Sequence, residues 1–321
     1  MVRVGIQESI APPLLQDFTR EVELVRIADE PEGEVEIDMW IAPVSLKTAR
    51  RQLPHLCRLQ VVQSLWAGVD LLQQLLPPGV TLCDAQGVHD IPAAEWVVAA
   101  ILAMQKYLPF YFSLQQQEDW AGRRQAEQLY RQSHALPPEL RSPALIDELS
   151  VTTVLIVGYG SIGKAIEERL APFGPRFLRV ARRAREGVES VSQLDQMLPY
   201  ADVVVLITPL TAETRNLFDA GRIARMKRGA LLVNAARGPV VDTDALVQAL
   251  NDRKIRAAID VTDPEPLPAG HPLWKAPNLL ITPHIAGASA QFLKRALTLA
   301  SEQAQRFARG EPLINVVESG Y

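Results

Sequence analysis

The sequence predicts an α/β protein with two doubly wound parallel sheets. Short apolar runs, typical of strands buried on both faces, alternate with polar segments that suit covering helices along nearly all of the 321 residues. One of these runs, at residues 154–157, leads directly into a Gly-x-Gly-x-x-Gly turn and then into apolar residues at helical spacing. With 48% hydrophobic and 22% charged residues, the chain can bury large cores and is long enough for two domains.

The first series of apolar runs predicts a flavodoxin-like domain. Its five strand candidates are residues 2–6, 23–28, 37–42, 59–64 and 80–85. Because this series carries no glycine fingerprint, we do not expect a second nucleotide site there. An amphipathic helix predicted over residues 289–309 and the segment after it are expected to return to this domain, which is therefore assigned residues 1–104 and 286–321.

A turn in this first domain is a candidate anion site. Trp66, Ala67 and Gly68 follow a strand candidate and open a helix predicted over residues 70–76. The small residues at positions 67 and 68 would expose backbone amides, and such a turn can hold a carboxylate. From this segment alone, a helix entry that binds nothing is an equally good interpretation.

The second series predicts a Rossmann domain over residues 105–285. A helix predicted over residues 91–108 and a helical surface excursion followed by a loop, over residues 113–150, precede its strands. Its six strand candidates are residues 153–157, 177–181, 202–207, 230–235, 256–261 and 279–282. Six parallel strands make a doubly wound sheet, and its ligand is expected across the carboxyl ends of the strands.

The glycine turn predicts a dinucleotide site in this domain. Its residues are Gly158, Tyr159, Gly160, Ser161, Ile162 and Gly163. Gly158 allows a sharp turn, Gly160 lets a pyrophosphate approach the backbone, and Gly163 lets the helix pack against the strand. Glycines also mark ordinary turns, but the order strand, turn and helix favours nucleotide binding.

Composition excludes several other classes of partner. The formal charge of −4 and the pI near 5.8 provide no basic field for nucleic acid and no polybasic membrane segment. Cys57 and Cys83 stand without a Cys/His cluster, so no metal site is expected and a reducing compartment fits. The N-terminus has no apolar core of signal-peptide length, and the longest apolar run, residues 96–104, is too short to span a membrane, so we expect a cytoplasmic protein.

Five stretches of the chain, taken in order, resemble the D-isomer-specific 2-hydroxyacid dehydrogenase family. They are residues 158–163, 208–214, 232–238, 260–261 with 265–268, and 282–287. The resemblance implies that Arg237, Glu265 and His284 are catalytic. It also implies that Ala67 and Gly68 bind the substrate carboxylate through their amides. The cofactor-binding positions added by the resemblance are Thr208, Pro209, Ala235 and Asp260. Trp66 departs from the family pattern, because it is bulkier than the residue usual there, and it is expected either to narrow the substrate pocket or to pack beneath the turn.

Reduction of a 2-keto acid requires these residue types. A guanidinium group such as that of Arg237 can hold the carboxylate and polarise the ketone. His284 can donate a proton to the oxygen at C2, and Glu265 can orient the imidazole. Each residue also has a structural alternative: a surface ion pair, an exposed loop residue and a core histidine, respectively. Their joint occurrence in family order favours catalysis.

The end of the strand predicted over residues 177–181 indicates NADP rather than NAD. NAD enzymes of this type carry an acidic residue about 20 positions beyond the fingerprint. Here Ala181 occupies that region and is followed by Arg182 and Arg183, which can bind a 2′-phosphate. The alternatives are NAD as the cofactor and a solvated basic loop.

The sequence therefore predicts an NADPH-dependent reductase of small 2-keto acids. By resemblance, its substrate belongs to the glyoxylate and hydroxypyruvate class, its product is a D-2-hydroxy acid, and it forms a homodimer that binds substrate between its domains. The alternative is a dinucleotide-sensing regulator with the same fold. The three candidate catalytic residues argue against that alternative, since a sensor needs no proton donor. Phosphoglycerate and formate dehydrogenases are weaker alternatives.

Overall fold

A computed structural model describes residues 1–134 and 147–317 of the chain. These residues form two compact units, the first made of residues 1–90 and 288–317 and the second of residues 91–134 and 147–287. The loop predicted at the end of the 113–150 segment falls in part on residues 135–146, outside the described residues.

The first unit contains a five-stranded parallel sheet. Its strands and two small neighbours are β1 (Val2–Gln7), β2 (Val22–Ile27), β3 (Val35–Glu36), β4 (Met39–Ile41), β5 (Leu56–Cys57), β6 (Val61–Gln63) and β7 (Thr81–Cys83). The main sheet has the order β2-β1-β4-β6-β7, while β3 and β5 pair separately. Each of the five predicted strands is present, because strands buried on both faces leave continuous apolar runs in the sequence. The order is that of a flavodoxin-like sheet.

Two short helices follow strands of this sheet. They are α1 (Leu46–Gln52) and α2 (Asp70–Gln73). The hydroxyl of Ser45 caps α1 by accepting a hydrogen bond from the Thr48 amide at 3.3 Å. The helix predicted over residues 70–76 ends after a single turn.

The second unit contains a seven-stranded parallel sheet. Its strands are β8 (Thr153–Val157), β9 (Arg176–Ala181), β10 (Glu189–Ser190), β11 (Val203–Leu206), β12 (Leu231–Asn234), β13 (Arg256–Ile259) and β14 (Leu279–Ile281). Their order is β10-β9-β8-β11-β12-β13-β14, so the winding reverses between β8 and β11. The six predicted strands are confirmed. The edge strand β10 was not predicted, because two residues cannot show an apolar pattern.

Seven helices are described in the second unit, and one of them ends earlier than the sequence predicts. They are α3 (Asp90–Gln105), whose first residue lies at the boundary, α4 (Leu108–Gln116), α5 (Arg123–His134), α6 (Ser161–Leu170), α7 (Leu194–Met197), α8 (Ala220–Arg225) and α9 (Thr243–Asn251). The single helix predicted over residues 91–108 is wrong at its end, because Tyr107 adopts the left-handed conformation with φ of 53° and separates α3 from α4.

The boundaries of the two units differ from those expected from the sequence. The first unit ends at residue 90 rather than 104, because Val97 and Ile101 of α3 lie in the same core as Val154 and Ile156 of β8. The chain leaves the second unit after residue 287 rather than 285.

The last helix, α10 (Phe292–Ala308), belongs to the first unit. Its residues Leu297 and Ala300 are buried in one core with Val4 and Ile6 of β1. After α10, the Val317 amide donates to the Leu82 carbonyl of β7 at 2.9 Å.

Neither a single helix that could span a membrane nor a cluster of metal ligands is found among residues 1–134 and 147–317. No single helix there combines the length and apolarity of a membrane span, although α3 and α4 taken together do so across a bend of 66°. Within the same residues, no three His, Cys, Asp or Glu side chains gather as a metal site would require.

Candidate active site

The candidate residues of the second unit lie in sequence along one edge of its sheet. The glycine turn follows β8, Thr208 follows β11, and Arg237 follows β12. Glu265 lies in the loop after β13, and His284 lies after β14. Since all these strands are parallel, their carboxyl ends share this edge, which is where open α/β sheets bind ligands.

Two of the three glycines in the turn are closely packed by neighbouring atoms, and one faces open space. A Cβ at Gly158, where φ is 104°, would lie 2.5 Å from the Ile207 carbonyl oxygen, and one at Gly163 would lie 2.9 Å from the Gly158 oxygen. A Cβ at Gly160 would meet no described atom within 4 Å. The first and third glycines thus allow close packing within the protein, while the second leaves room for a ligand.

These residues fit a nicotinamide dinucleotide. Gly160 is the N-cap of α6 and contributes no side-chain cap, so the first amides of the helix are oriented toward the open space beside the turn. The Thr208 hydroxyl is buried and has no hydrogen-bond partner among the described residues. Thr208 follows β11, next to the point where the winding of the sheet reverses. A dinucleotide bound there would offer its hydroxyl a hydrogen-bond partner.

The four arginines between residues 179 and 185, at and after the end of β9, have different contacts. Arg179 forms two hydrogen bonds with the Glu167 carboxylate, at 2.6 and 2.5 Å, and these bonds lower the pKa of Glu167. Arg185 donates to the Tyr159 carbonyl inside the glycine turn. Arg182 and Arg183 are exposed immediately after the strand. These two remain the candidates for a 2′-phosphate.

The His284 and Glu265 side chains form a hydrogen-bonded pair at this edge. The His284 Nδ1 lies 2.6 Å from the Glu265 Oε1. Both side chains are partly exposed, at 47% and 40%. With Nδ1 bonded to the carboxylate, a proton exchanged between this ring and a ligand would pass through Nε2. The structure thus pairs the histidine with Glu265, the carboxylate expected to orient its imidazole.

Asp260 holds the turn that carries His284. Its side chain is buried, and its two oxygens accept hydrogen bonds from the Ile285 amide at 2.8 Å, the Ala286 amide at 2.7 Å and the Thr282 hydroxyl at 2.6 Å. His284 itself has φ of 55°, a left-handed conformation that surrounding bonds must maintain. Asp260 is therefore a positioning residue for His284, and its predicted contact with the cofactor stays a prediction.

Arg237 stands on a turn held by residues that the sequence analysis did not single out. The buried Asn234 accepts from the Ala236 amide at 3.0 Å and donates to the Arg237 carbonyl at 3.1 Å. A Cβ at Gly238 would lie 1.9 Å from the Thr262 carbonyl oxygen, so only glycine allows the loops after β12 and β13 to approach. The signal available in the sequence was an asparagine and a glycine flanking the arginine at the end of a strand.

The predicted anion turn of the first unit follows β6. The Trp66 amide donates to the Ser64 hydroxyl at 2.9 Å, so it is not available to a carboxylate. The Trp66 indole N–H donates to the Val44 carbonyl at 3.1 Å. Ala67 and Gly68 are partly buried, and their amides stay the predicted contacts of the substrate carboxylate.

The remaining histidines have structural contacts. His271 accepts from the Leu273 amide at 3.2 Å, His55 lies 2.9 Å from the Gly33 carbonyl, and His134 lies 2.9 Å from the Tyr130 carbonyl. His89 is stacked on Trp66.

A cavity of the second unit is not part of this site. Thr152, Asp202, Ala230 and Arg256 line it, and they precede or begin β8, β11, β12 and β13. It therefore opens at the amino ends of the strands, whereas the glycine turn and His284 lie at their carboxyl ends. Two ion pairs lie in its lining, Arg256 with Asp147 at 2.7 Å and Lys227 with Asp202 at 2.7 Å.

The chain resembles known dehydrogenases in sequence and in structure. The family model described as "D-isomer specific 2-hydroxyacid dehydrogenase, NAD binding domain" matches residues 98–286. A glyoxylate reductase of Thermofilum pendens is 33% identical over 262 residues, which cover 79% of this chain and 73% of that protein.

Two solved structures resemble the whole chain. A D-isomer specific 2-hydroxyacid dehydrogenase of Xanthobacter autotrophicus, in complex with NADPH and MES, is 27% identical with a TM-score of 0.78 and covers 99% of this chain and 98% of its own. An NADPH-dependent glyoxylate/hydroxypyruvate reductase of Sinorhizobium meliloti, in complex with NADP and sulfate, is 25% identical with a TM-score of 0.78 and the same coverage.

Proposed function

We propose that this chain, which belongs to the D-isomer specific 2-hydroxyacid dehydrogenases, reduces a small 2-keto acid of the glyoxylate and hydroxypyruvate class with NADPH. The family makes it an NAD(P)-binding oxidoreductase. The observation that carries the proposal is the 2.6 Å pair of His284 and Glu265, which lies on the same sheet edge as the glycine turn. The product is a D-2-hydroxy acid.

The chain's own residues perform the acid–base part of this reaction. A nicotinamide nucleotide, when bound, supplies the hydride. Arg237 binds the substrate carboxylate and polarises the ketone. His284 donates a proton from Nε2 to the oxygen at C2, while Glu265 holds Nδ1 and stabilises the imidazolium. In the reverse direction, His284 accepts the proton of the hydroxy acid.

The amides of Ala67 and Gly68 add a second contact to the carboxylate. Because they are backbone groups, this contact orients the acid without depending on its other end. The first unit thus supplies orientation and the second supplies the chemistry.

NADPH is the preferred cofactor in this proposal. Arg182 and Arg183 are exposed directly after β9, and no carboxylate occupies the position after Ala181. The relatives from Xanthobacter autotrophicus and Sinorhizobium meliloti are complexes with NADPH and NADP, which supports the same choice.

The proposed assembly is a homodimer, located in the cytoplasm. Two large apolar residues of α4, Leu108 and Phe112, are exposed in the second unit, and a partner surface would bury them. We expect analytical ultracentrifugation to give the mass of two chains.

The decisive experiment follows the absorbance of NADPH and of NADH with glyoxylate, hydroxypyruvate, pyruvate and phenylpyruvate. We expect faster turnover with NADPH and with the smaller acids. His284→Ala is expected to lower kcat by about 10²- to 10⁴-fold, because proton transfer contributes that much to such reactions. Arg237→Ala is expected to lower kcat and raise KM together. Tight NADPH binding without turnover of any keto acid would instead support a dinucleotide-sensing regulator.

A further inference from the structure

Three aromatic rings are stacked in the first unit, and two of them lie in loops that follow its strands. Trp66 lies after β6, His89 lies after β7, and Phe292 begins α10. The ring centroids of Trp66 and His89 are 5.2 Å apart with planes 5° from parallel, and those of Trp66 and Phe292 are 4.7 Å apart at 22°. His89 and Phe292 are 5.0 Å apart. These are the separations of favourable aromatic contacts.

The Trp66 ring is held in one orientation. Its indole N–H donates to Val44 at 3.1 Å, and its carbonyl accepts from the Ala85 amide at 3.1 Å. Val44 follows β4 and Ala85 follows β7, so the residue is tied to the loops after three neighbouring strands. Yet 39% of its surface is exposed. The side chain therefore presents a rigid apolar surface at the carboxyl edge of the sheet, where this fold class binds ligands.

Trp66 directly precedes the amides proposed to hold the substrate carboxylate. The C2 substituent of a 2-keto acid is separated from its carboxylate carbon by a single atom, so a residue flanking the carboxylate site is close to that substituent. Since the Trp66 amide is bonded to Ser64, the indole is the group this residue can present there.

We propose that Trp66, supported by His89 and Phe292, is the wall that sets substrate size. It admits 2-keto acids whose C2 substituent is hydrogen or a single carbon with at most a hydroxyl, and it excludes aryl and branched substituents. The stacked neighbours and the bond to Val44 matter because they prevent the indole from turning aside. This inference rests on the proposed function and assigns the substrate class of that same site.

The test compares Trp66→Ala with the unchanged protein. We expect the ratio of kcat/KM for phenylpyruvate to that for glyoxylate to rise at least about tenfold, since steric discrimination by a fitted pocket is worth that much for even one methylene. Trp120→Ala is the control, because it removes an exposed tryptophan from the second unit. The ratio of kcat/KM for phenylpyruvate to that for glyoxylate should not change in this variant. An unchanged ratio for Trp66→Ala, or a shift toward glyoxylate, would overturn the wall.

A second variant tests the support of the ring. Phe292→Leu leaves Trp66 in place but removes one stacked neighbour, so it should shift the ratio in the same direction by a smaller factor. Thermal unfolding of both variants checks that each is folded. A shift in Trp66→Ala together with an unaltered ratio in Phe292→Leu would overturn the part of the proposal that concerns the stack.

A binding measurement separates this inference from the proposed activity. Oxamate and its N-phenyl derivative, oxanilate, are not reduced and differ only by the aryl group. In calorimetric titrations with NADP⁺ present, Trp66→Ala should tighten oxanilate relative to oxamate by about the same tenfold factor. If the unchanged protein reduces no keto acid but this shift occurs, the activity fails and the wall stands. If it reduces glyoxylate and neither ratio changes, the activity stands and the wall fails.

Discussion

The two parallel sheets of this chain are wound in related ways but differ in the loops that follow their strands. After the strands of the first sheet come the turn of Ala67 and Gly68 and the rings of Trp66 and His89, which stack with Phe292 of α10. After the strands of the second come a glycine turn, Arg237, and the pair of Glu265 and His284. The difference teaches that the sheet determines where a ligand can bind, while the loops determine which chemistry occurs there.

A second comparison lies within the loops of the second sheet. Asp260 and Glu265 are separated by four residues, but Asp260 is 2% exposed and satisfies three backbone and hydroxyl donors, whereas Glu265 bonds to His284. One carboxylate maintains the fold of the loop and the other takes part in the proposed chemistry. The predictions below test these two contrasts.

The largest expected effect separates Asp260 from Glu265. Asp260→Ala leaves three donors without their acceptor and should lower the free energy of unfolding by about 3 kcal/mol or more. Glu265→Ala removes an exposed pair and should change that free energy by less than about 1 kcal/mol, while lowering kcat. Urea unfolding and keto acid reduction measure both. Equal loss of stability in the two variants would contradict the division of roles.

Gly158 and Gly160 should differ in the same manner. Gly158→Ala places a Cβ against the Ile207 backbone at a positive φ, so it should lower the free energy of unfolding by about 2 kcal/mol. Gly160→Ala projects into open space, so it should preserve stability and raise the dissociation constant of NADPH by about tenfold or more. Thermal unfolding and fluorescence titration make the comparison. Unaltered NADPH binding in Gly160→Ala would argue against the glycine turn as the site of the dinucleotide.

Arg182 should distinguish the two nucleotides. Arg182→Ala is expected to raise the dissociation constant of NADPH by about tenfold and that of NADH little, because only NADPH carries the 2′-phosphate that a guanidinium group binds. Arg179→Ala is the matched comparison, since Arg179 is bonded to Glu167 and should not discriminate. An equal change for both nucleotides in Arg182→Ala would remove the reason for preferring NADP.

The last expected effect lies in the first unit and concerns pH. Burial raises the pKa of Asp84 from 3.8 to about 6. Between these two values the folded state binds more protons than the unfolded state, so this group makes stability fall as pH rises from about 4 to 6. Asp84→Asn should flatten that fall in urea unfolding, while the exposed control Glu32→Gln should not. A fall as steep in Asp84→Asn as in the unchanged protein would refute the assignment.

Local pattern was sufficient where a feature depends on residues adjacent in the sequence. The strands around Val154 and Val204 were predicted because strands buried on both faces leave apolar runs. The break at Tyr107 was not predicted, because the apolar composition of residues 91–108 is compatible with an unbroken helix. The supports of the site, Asn234 and Gly238, were also missed, because their partners lie in turns whose shape the sequence does not show.

The sequence by itself determined the family, the two parallel sheets, the glycine turn and the order of Arg237, Glu265 and His284, because motif spacing and hydrophobic periodicity are local properties. Only the tertiary structure decided that Glu265 bonds His284 while Asp260 secures its turn, that Arg179 is committed to Glu167, and that α3 packs with the second unit. Those outcomes depend on which side chains meet across loops and strands. The type of a residue limits the bonds it can form, but its partner is selected by packing.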